Sequence, residues 1–451
     1  MLRSISRLSI AAAAALTAAS TLGAAVAPGV QFTDHKLKNG LRVLIAEDHS
    51  APVYSIAVNY NVGSRDERKG RTGFAHLFEH MMFKGSEQVG PGEHFTLIFN
   101  NGGNMNGTTN KDRTLYYDTL PSNQLDLGLF LEADRMWSLE ITKDNLDNQR
   151  NAVQEERRLG VDNRPYGKTG EVLDELAYQN EAYRHSVIGS MTDLNAASVD
   201  DVKSFFRTYY APNNAVVGIV GDVKTPEVLD KLHKYFDRIP SQPSPAAVDM
   251  TEPAQTAERR QTIDDALARL PSIDIAYHVP DSSSADDDAL SVLSTILSGG
   301  RSSRMYDVIV RQKQLASNVS AFKQETRGPG LFQFSASPLP GKAVADLEAA
   351  IYAEVERLKT GPIENWEIEK SRNNAKRSYV SGLGSSLNRA VLLSQYALFY
   401  NDPNLINTKA ARISSVKAAD VQRVAKQYLT PANRTVVITM PKAAGSAEGG
   451  R

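Results

Sequence analysis

The sequence predicts an α+β fold of two homologous domains, each a mostly antiparallel sheet packed with helices. Three observations predict it. The two halves end on the same pattern, a stretch without hydrophobic periodicity separates them, and each half opens with strands ahead of long helical segments. The shared ending is specific: Asp201, Val202, Tyr209, Pro212, Asn214 and Val217 match Asp420, Val421, Tyr428, Pro431, Asn433 and Val436 at one constant offset. In both copies a helix ending at tyrosine runs through a proline turn into a β-branched strand, 215–220 and 435–439.

Along the chain, the first segment reads as a leader. Arg3 and Arg7 precede an Ala-rich apolar run over 10–22, and small-residue sites such as Ala25-Val26-Ala27 follow, the pattern of a secretory signal peptide over residues 1–27. Cutting after Ala24 or Ala25 rivals cutting after Ala27, because Pro28 follows the latter. Arginines and serines without acids also suit a mitochondrial presequence, but the continuous apolar centre favours secretion. The run is short for a bilayer and no second apolar segment of spanning length follows, so no membrane span is expected. The first domain, 28–239, opens with strands at 42–47 and 53–62. A Pro-, Ser- and Ala-rich stretch starts at Pro240, and the linker is placed at 240–262. The second domain, 263–442, opens with a strand at 272–278, and 443–451 is a flexible tail.

Composition removes several function classes. The formal charge of −1 holds no basic excess for nucleic acid and no acidic excess for a disordered tail. The chain has no cysteine, which removes cysteine ligands, thiol nucleophiles and a lipid-anchor site at the leader. Together with the leader this fits an exported bacterial protein without disulfides, soluble in the periplasm.

The chemistry concentrates in His76-Leu77-Phe78-Glu79-His80, the zinc-peptidase pentapeptide read backwards. Residues i and i+4 of a helix lie on one face, so the two imidazoles can bind one cation, and Glu79 shares their face without being a ligand. A carboxylate beside a metal-activated water is placed as general base. Ala75, Leu77, Phe78, Met81, Met82 and Phe83 supply the packing surface, and Gly85 and Ser86 end the helix. Hydrolytic zinc keeps three protein ligands, and the inverted motif is known in a class of zinc peptidases that take the third, a carboxylate, from elsewhere in the fold. The helical stretch 149–158 offers Glu155 and Glu156, which point about 100° apart, and spacing alone does not choose between them. His35, His49, His94, His185, His233 and His278 form no second pair at helical spacing and read as surface or structural residues.

With these motifs the chain resembles the family of pitrilysin, insulin-degrading enzyme and the mitochondrial processing peptidase, over about residues 32–441. The resemblance implies two homologous domains that close like a clamshell around a peptide, one Zn²⁺ per chain, and Glu156 as the third ligand. It implies a second-shell support at Gln149, where the family usually has glutamate; an amide brings no charge, so altered tuning of the metal is expected. From composition alone, 101–110 would be a surface hairpin loop. The resemblance makes it an edge strand that pairs with substrate, with Asn106, Gly107 and Thr108 as contacts. It also implies an arginine and a tyrosine from the second domain, at Arg311 and at Ser317 or Asn318, where no tyrosine stands. The expected partner is therefore a homologous non-catalytic subunit that supplies the pair, with a homodimer as the alternative. Opposite the metal helix, the second half reads Leu290 to Gly300 without a histidine or an acid, and its role is expected to be closure or substrate contact.

Overall fold

The structure is a computed structural model that describes residues 29–442; the leader over 1–27 and the tail over 443–451 lie outside the described residues. Two mixed, mostly antiparallel sheets organise the chain. The first contains β1 (Thr33–Lys36), β2 (Arg42–Glu47), β3 (Val53–Tyr60), β4 (Asn104–Thr109), β5 (Thr114–Pro121) and β6 (Ala215–Gly221) in the order β1-β2-β6-β3-β5-β4. The second contains β7 (Arg259–Asp265), β8 (Ser272–Val279), β9 (Ala316–Lys323), β10 (Gly330–Pro338) and β11 (Arg434–Pro441) in the order β7-β11-β8-β10-β9. Only the β2–β6 and β7–β11 pairs are parallel. Strand for strand, β6 corresponds to β11, β3 to β8, β5 to β10 and β4 to β9, so the repeated ending falls on the same central strand of both sheets.

Three boundaries differ from the sequence expectation. β3 stops at Tyr60, two residues short of Val62. The helix of the pentapeptide spans Phe74–Met81 and ends before Gly85, because Phe83 and Lys84 donate to His80 O and Met81 O in tight turns. β7 starts at Arg259, inside the stretch read as linker; Arg259, Arg260 and Gln261 hid it, since an edge strand tolerates polar side chains that a central one does not.

The halves are interlocked by a reciprocal exchange of helices. Ser386–Tyr400, from the second half, covers one face of the first sheet, where Ala390, Leu393 and Ala397 pack with Leu44, Ala57, Val216 and Val220. Every residue of β6 is buried as a result, the mark of a strand covered on both faces. Gly218 is needed there, since a Cβ would stand 2.2 Å from Ala390 O. In return Thr169–Ala177, from the first half, brings Leu173 and Ala177 against Ala276, Leu331 and Val437 of the second sheet. The other face of each sheet carries that half's own helices and core.

Candidate metal centre

The Phe74–Met81 helix starts from Gly73 at φ 88°, where a Cβ would also collide with Ile188 O at 2.6 Å, so glycine is required on both counts. Phe74, Leu77, Phe78 and Met81 are buried, and the Phe78 ring lies 4.2 Å from Tyr210 between centroids. That apolar anchorage turns His76, Glu79 and His80 toward the opposite helix, Lys143–Arg157. Glu67, whose side chain is fully buried, accepts from Gly73 N–H at 2.8 Å and Ala75 N–H at 2.7 Å and so satisfies donors of the first turn. Sequence reasoning missed this carboxylate; its one signal is an acid shortly before the Gly-Phe helix start.

The Lys143–Arg157 helix is capped by Thr142, which accepts from Asn145 N–H at 3.2 Å, and is fixed by Arg150, which donates to Leu194 O and Ala197 O at 3.0 and 2.5 Å. Arg157 ties its end to Glu171 at 2.6 Å and to Gly189 O at 2.6 Å. Glu156 then points across the groove. Its Oε2 lies 3.6 Å from His76 Nε2 and 3.4 Å from His80 Nε2, and the three donor atoms lie within 4.8 Å of one another. Glu155 turns away and pairs with Arg158 at 3.0 Å. The geometry therefore separates the two acids that spacing left open.

Electrostatics suit a cation. Burial, reinforced by His80, pushes the His76 imidazole down to about 4, which leaves it a neutral ligand near pH 7. The contact with His80 holds the Glu156 carboxyl below its usual range. His76 Nδ1 is buried without a hydrogen-bond partner, so no second-shell acceptor orients this ring among the described residues. One anionic oxygen and two imidazole nitrogens converging on one point match the donor set of hydrolytic zinc.

Glu79 is 8% exposed, and burial raises its carboxyl pKa against the opposing pull of Thr109. Thr109 Oγ1 donates to Glu79 Oε2 at 2.5 Å, which leaves Oε1 as the free oxygen. Thr109 belongs to β4 and was not singled out in the sequence, although it adjoins the predicted contacts. Gly107 faces Glu79 directly: a Cβ there would stand 3.0 Å from Glu79 Cγ and 3.1 Å from Oε1. Asn106 and Thr108 are exposed on the outer side of β4, which is the edge of its sheet. Glu79, His80, Phe83, Phe95, Asn106 and Gln149 line a cavity of about 260 Å³. Gln149 is buried there, but its Nε2 donates to Asn148 Oδ1 at 2.5 Å rather than to a ligand.

Arg311 is not brought to this centre. It lies on Tyr306–Gln312 with its side chain 70% exposed, pairs with Asp307, and lines a different cavity in the second half. Ser317 and Asn318 are exposed on the edge strand β9. His94 is buried with Asp118 and Glu132 behind Phe83, and Arg135 already engages Glu132. No helix among the described residues is long and apolar enough to cross a membrane.

Residues 42–190 match the model of insulinase, peptidase family M16, and residues 196–375 match the peptidase M16 inactive domain. A protein named zinc protease PqqE from Helicobacter pylori is 32% identical over 427 residues, covering 93% of this chain and 96% of the relative. A probable mitochondrial-processing peptidase subunit beta from Arabidopsis thaliana is 27% identical, covering 87% of this chain and 75% of that one. Among solved structures, a protease from Helicobacter pylori superposes with a TM-score of 0.87 at 32% identity, covering 91% of this chain and 100% of that chain. The first half of the periplasmic protease PqqL from Escherichia coli has the same fold, with a TM-score of 0.75 at 18% identity over 93% of this chain and 94% of that one. With its donor set, its two sheets and relatives that span nearly its whole length, this chain belongs to peptidase family M16, the insulinase family.

Proposed function

We propose that this chain is a periplasmic zinc endopeptidase that hydrolyses peptides or unfolded chains, with Glu79 as general base. The observation that carries the reading is the convergence of His76, His80 and Glu156 beside a buried carboxylate and a sheet edge. A Zn²⁺ held by those three residues would supply a Lewis acid for the scissile carbonyl and lower the pKa of a water. Glu79 takes the proton of the attacking water on Oε1, since Thr109 holds Oε2, and returns it to the leaving amine. An extended substrate adds to β4 as a further strand, through main-chain bonds that demand little of its sequence. Asn106 and Thr108 face it from the edge, and Gly107 leaves room for the reacting carbonyl beside Glu79. Gln149 lines the cavity wall and would support a ligand once its amide turns from Asn148.

The leader pattern supports export, as does the fold shared with a periplasmic protease. The chain acts as the zinc-bearing subunit of a heterodimer, whose homologous non-catalytic subunit supplies an arginine and a tyrosine across the chamber. Two observations favour this: Arg311 lies away from the centre, and Ser317 and Asn318 stand where the tyrosine would be. A homodimer that uses the partner's Arg311 is the alternative. The missing tyrosine also favours a second reading, a catalytically silent scaffold or assembly subunit. The test is cleavage of a short unstructured fluorogenic peptide by the mature chain, with bound zinc measured and with and without a chelator. Chelator-sensitive turnover supports the peptidase. A zinc-loaded chain that stays silent at every concentration, alone and with homologous subunits from its own source, establishes the scaffold.

A further inference from the structure

The second half supplies none of the three converging ligands, yet it reaches the turn that ends the proposed substrate edge. Residues 110–113 form that turn, between β4 and β5. Asn110 Oδ1 accepts from Asp112 N–H and Arg113 N–H at 2.8 and 2.9 Å, which stiffens it locally. Asp112, at its tip, is 2% exposed. Its Oδ1 accepts from Arg65 Nη1 at 2.9 Å and from the Tyr183 hydroxyl at 2.6 Å, and its Oδ2 accepts from Arg327 N–H at 3.0 Å. Arg327 and Gly328 lie in the loop 324–329 of the second half, between β9 and β10. Gly328 N–H donates to the Tyr183 oxygen at 2.8 Å, so the buried tyrosine relays the second half to Asp112. Arg327 Nη1 donates to Asn61 Oδ1, which also accepts from Arg65 Nη2 at 2.9 Å. The loop carries its own bracing: Thr326 N–H donates to Ser282 Oγ at 3.1 Å, Thr326 O accepts from Ser282 N–H at 2.9 Å, and Pro329 O accepts from the Tyr178 hydroxyl at 3.0 Å.

An apolar residue at the turn tip would satisfy packing alone. A buried carboxylate is costly unless its oxygens are bonded, and when they are bonded it fixes direction as well as place. We propose that the loop 324–329 is a clamp by which the second half positions the substrate edge, with Asp112 and Tyr183 as positioning residues for the reaction. The path to the chemistry is short. Thr109, three positions before Asp112 on the same strand and turn, holds Glu79 Oε2, so a turn that drifts carries the general base with it. The effect on catalysis rests on the peptidase reading, whereas the clamp itself does not.

The test compares the mature chain with Tyr183→Phe, which keeps the ring and removes the hydroxyl between Gly328 N–H and Asp112. Gly328→Ala breaks the same contact from the other side, since a Cβ there would stand 2.5 Å from Tyr183 Cε2. Hydrogen exchange followed by mass spectrometry reads the edge without any turnover. Both variants should speed exchange in peptides covering 104–113 by at least about 3-fold and leave peptides from β2 unchanged. On the fluorogenic peptide, the zinc-loaded Tyr183→Phe chain should lose about 3- to 10-fold in kcat with KM little changed. Adding Thr109→Val should lower kcat by less than about 2-fold more, because both substitutions act on the same carboxylate. Tyr235→Phe, whose hydroxyl bonds Asp126 and Lys234 at the surface, changes neither readout. Unchanged exchange over 104–113 in both variants overturns the clamp. Faster exchange with kcat intact, or a kcat loss that multiplies in full with Thr109→Val, overturns the positioning role. Failure of the peptidase reading would appear separately, as absence of chelator-sensitive turnover in the unsubstituted chain, and the exchange result would still decide the clamp.

Discussion

The free edge of the first sheet and the free edge of the second are built alike and do different things. In each, a helix lies against the outermost strand, Phe74–Met81 beside β4 and Asp287–Ser298 beside β9. In each, a side-chain hydroxyl links helix to strand. On the first edge the strand reaches the helix: Thr109 Oγ1 donates to the Glu79 carboxylate. On the second the helix reaches the strand: Ser298 Oγ accepts from Ala321 N–H at 2.8 Å and donates to Ala321 O at 3.1 Å. The first link holds the carboxylate proposed as general base and leaves the strand's backbone alone, whereas the second ties up backbone and holds no such group. The helix starts differ in the same sense. Glu67 serves backbone donors at the first, while Asp287 and Asp288 at the second are neutralised by Lys323, Lys409 and Arg412. On the proposed function, one architecture supports chemistry on one edge and rigidity on the other, and a few side chains decide which.

The comparison breaks most readily at Glu79. Glu79→Gln should lower kcat by about 10²- to 10⁴-fold while zinc content, measured by atomic absorption, stays at the wild-type level. Normal turnover in that variant would remove the distinction between the two edges. Next in size is the third donor. Glu156→Gln should weaken zinc binding by at least about 100-fold in a chelator competition, while Glu155→Gln, whose partner is Arg158, leaves it unchanged. The reverse order would show that the Lys143–Arg157 helix presents its other face to the metal. Smaller again is Gly107→Ala, which presses a methyl against Glu79 and the Phe83 ring; kcat should fall about 10-fold with thermal stability nearly unchanged. A loss of stability without a loss of rate would mean that Gly107 serves the fold and not the site.

Much of this difference was legible in the sequence, and what escaped has a physical reason. The pentapeptide announced its helix because its periodicity and its chemistry coincide, and the repeated Tyr-Pro-Asn-Val ending announced the duplicated central strand because β-branched residues have few other uses there. Glu155 against Glu156 could not be settled from spacing, because the choice depends on how the helix is rotated, which Arg150 and Arg157 fix through partners far along the chain. Glu67 and Thr109 escaped for the same reason: each acts on a helix it does not belong to. The helix exchange was equally hidden, since nothing local in Ser386–Tyr400 says that its apolar face belongs to the other half's sheet. Gly218 is the one local trace, a glycine in a β-branched run where the exchanged backbone comes close.

The finest test of the two edges removes the two links in parallel. Thr109→Val deletes the hydroxyl that holds Glu79 Oε2 and keeps the β-branched shape, so the carboxylate should rotate more freely while the strand stays in place. The expected outcome is a loss in kcat of several-fold, about 3 to 10, with KM and the unfolding midpoint in urea little changed. Ser298→Ala removes two bonds to Ala321 and should cost about 1 kcal/mol of stability with turnover intact, because β9 loses a tether and Glu79 loses nothing. The double substitution should show the two effects adding independently, since the links sit on different sheets. If Ser298→Ala slowed turnover as much as Thr109→Val, the second edge would be coupled to the first, and the rigidity assigned to it would itself be part of catalysis.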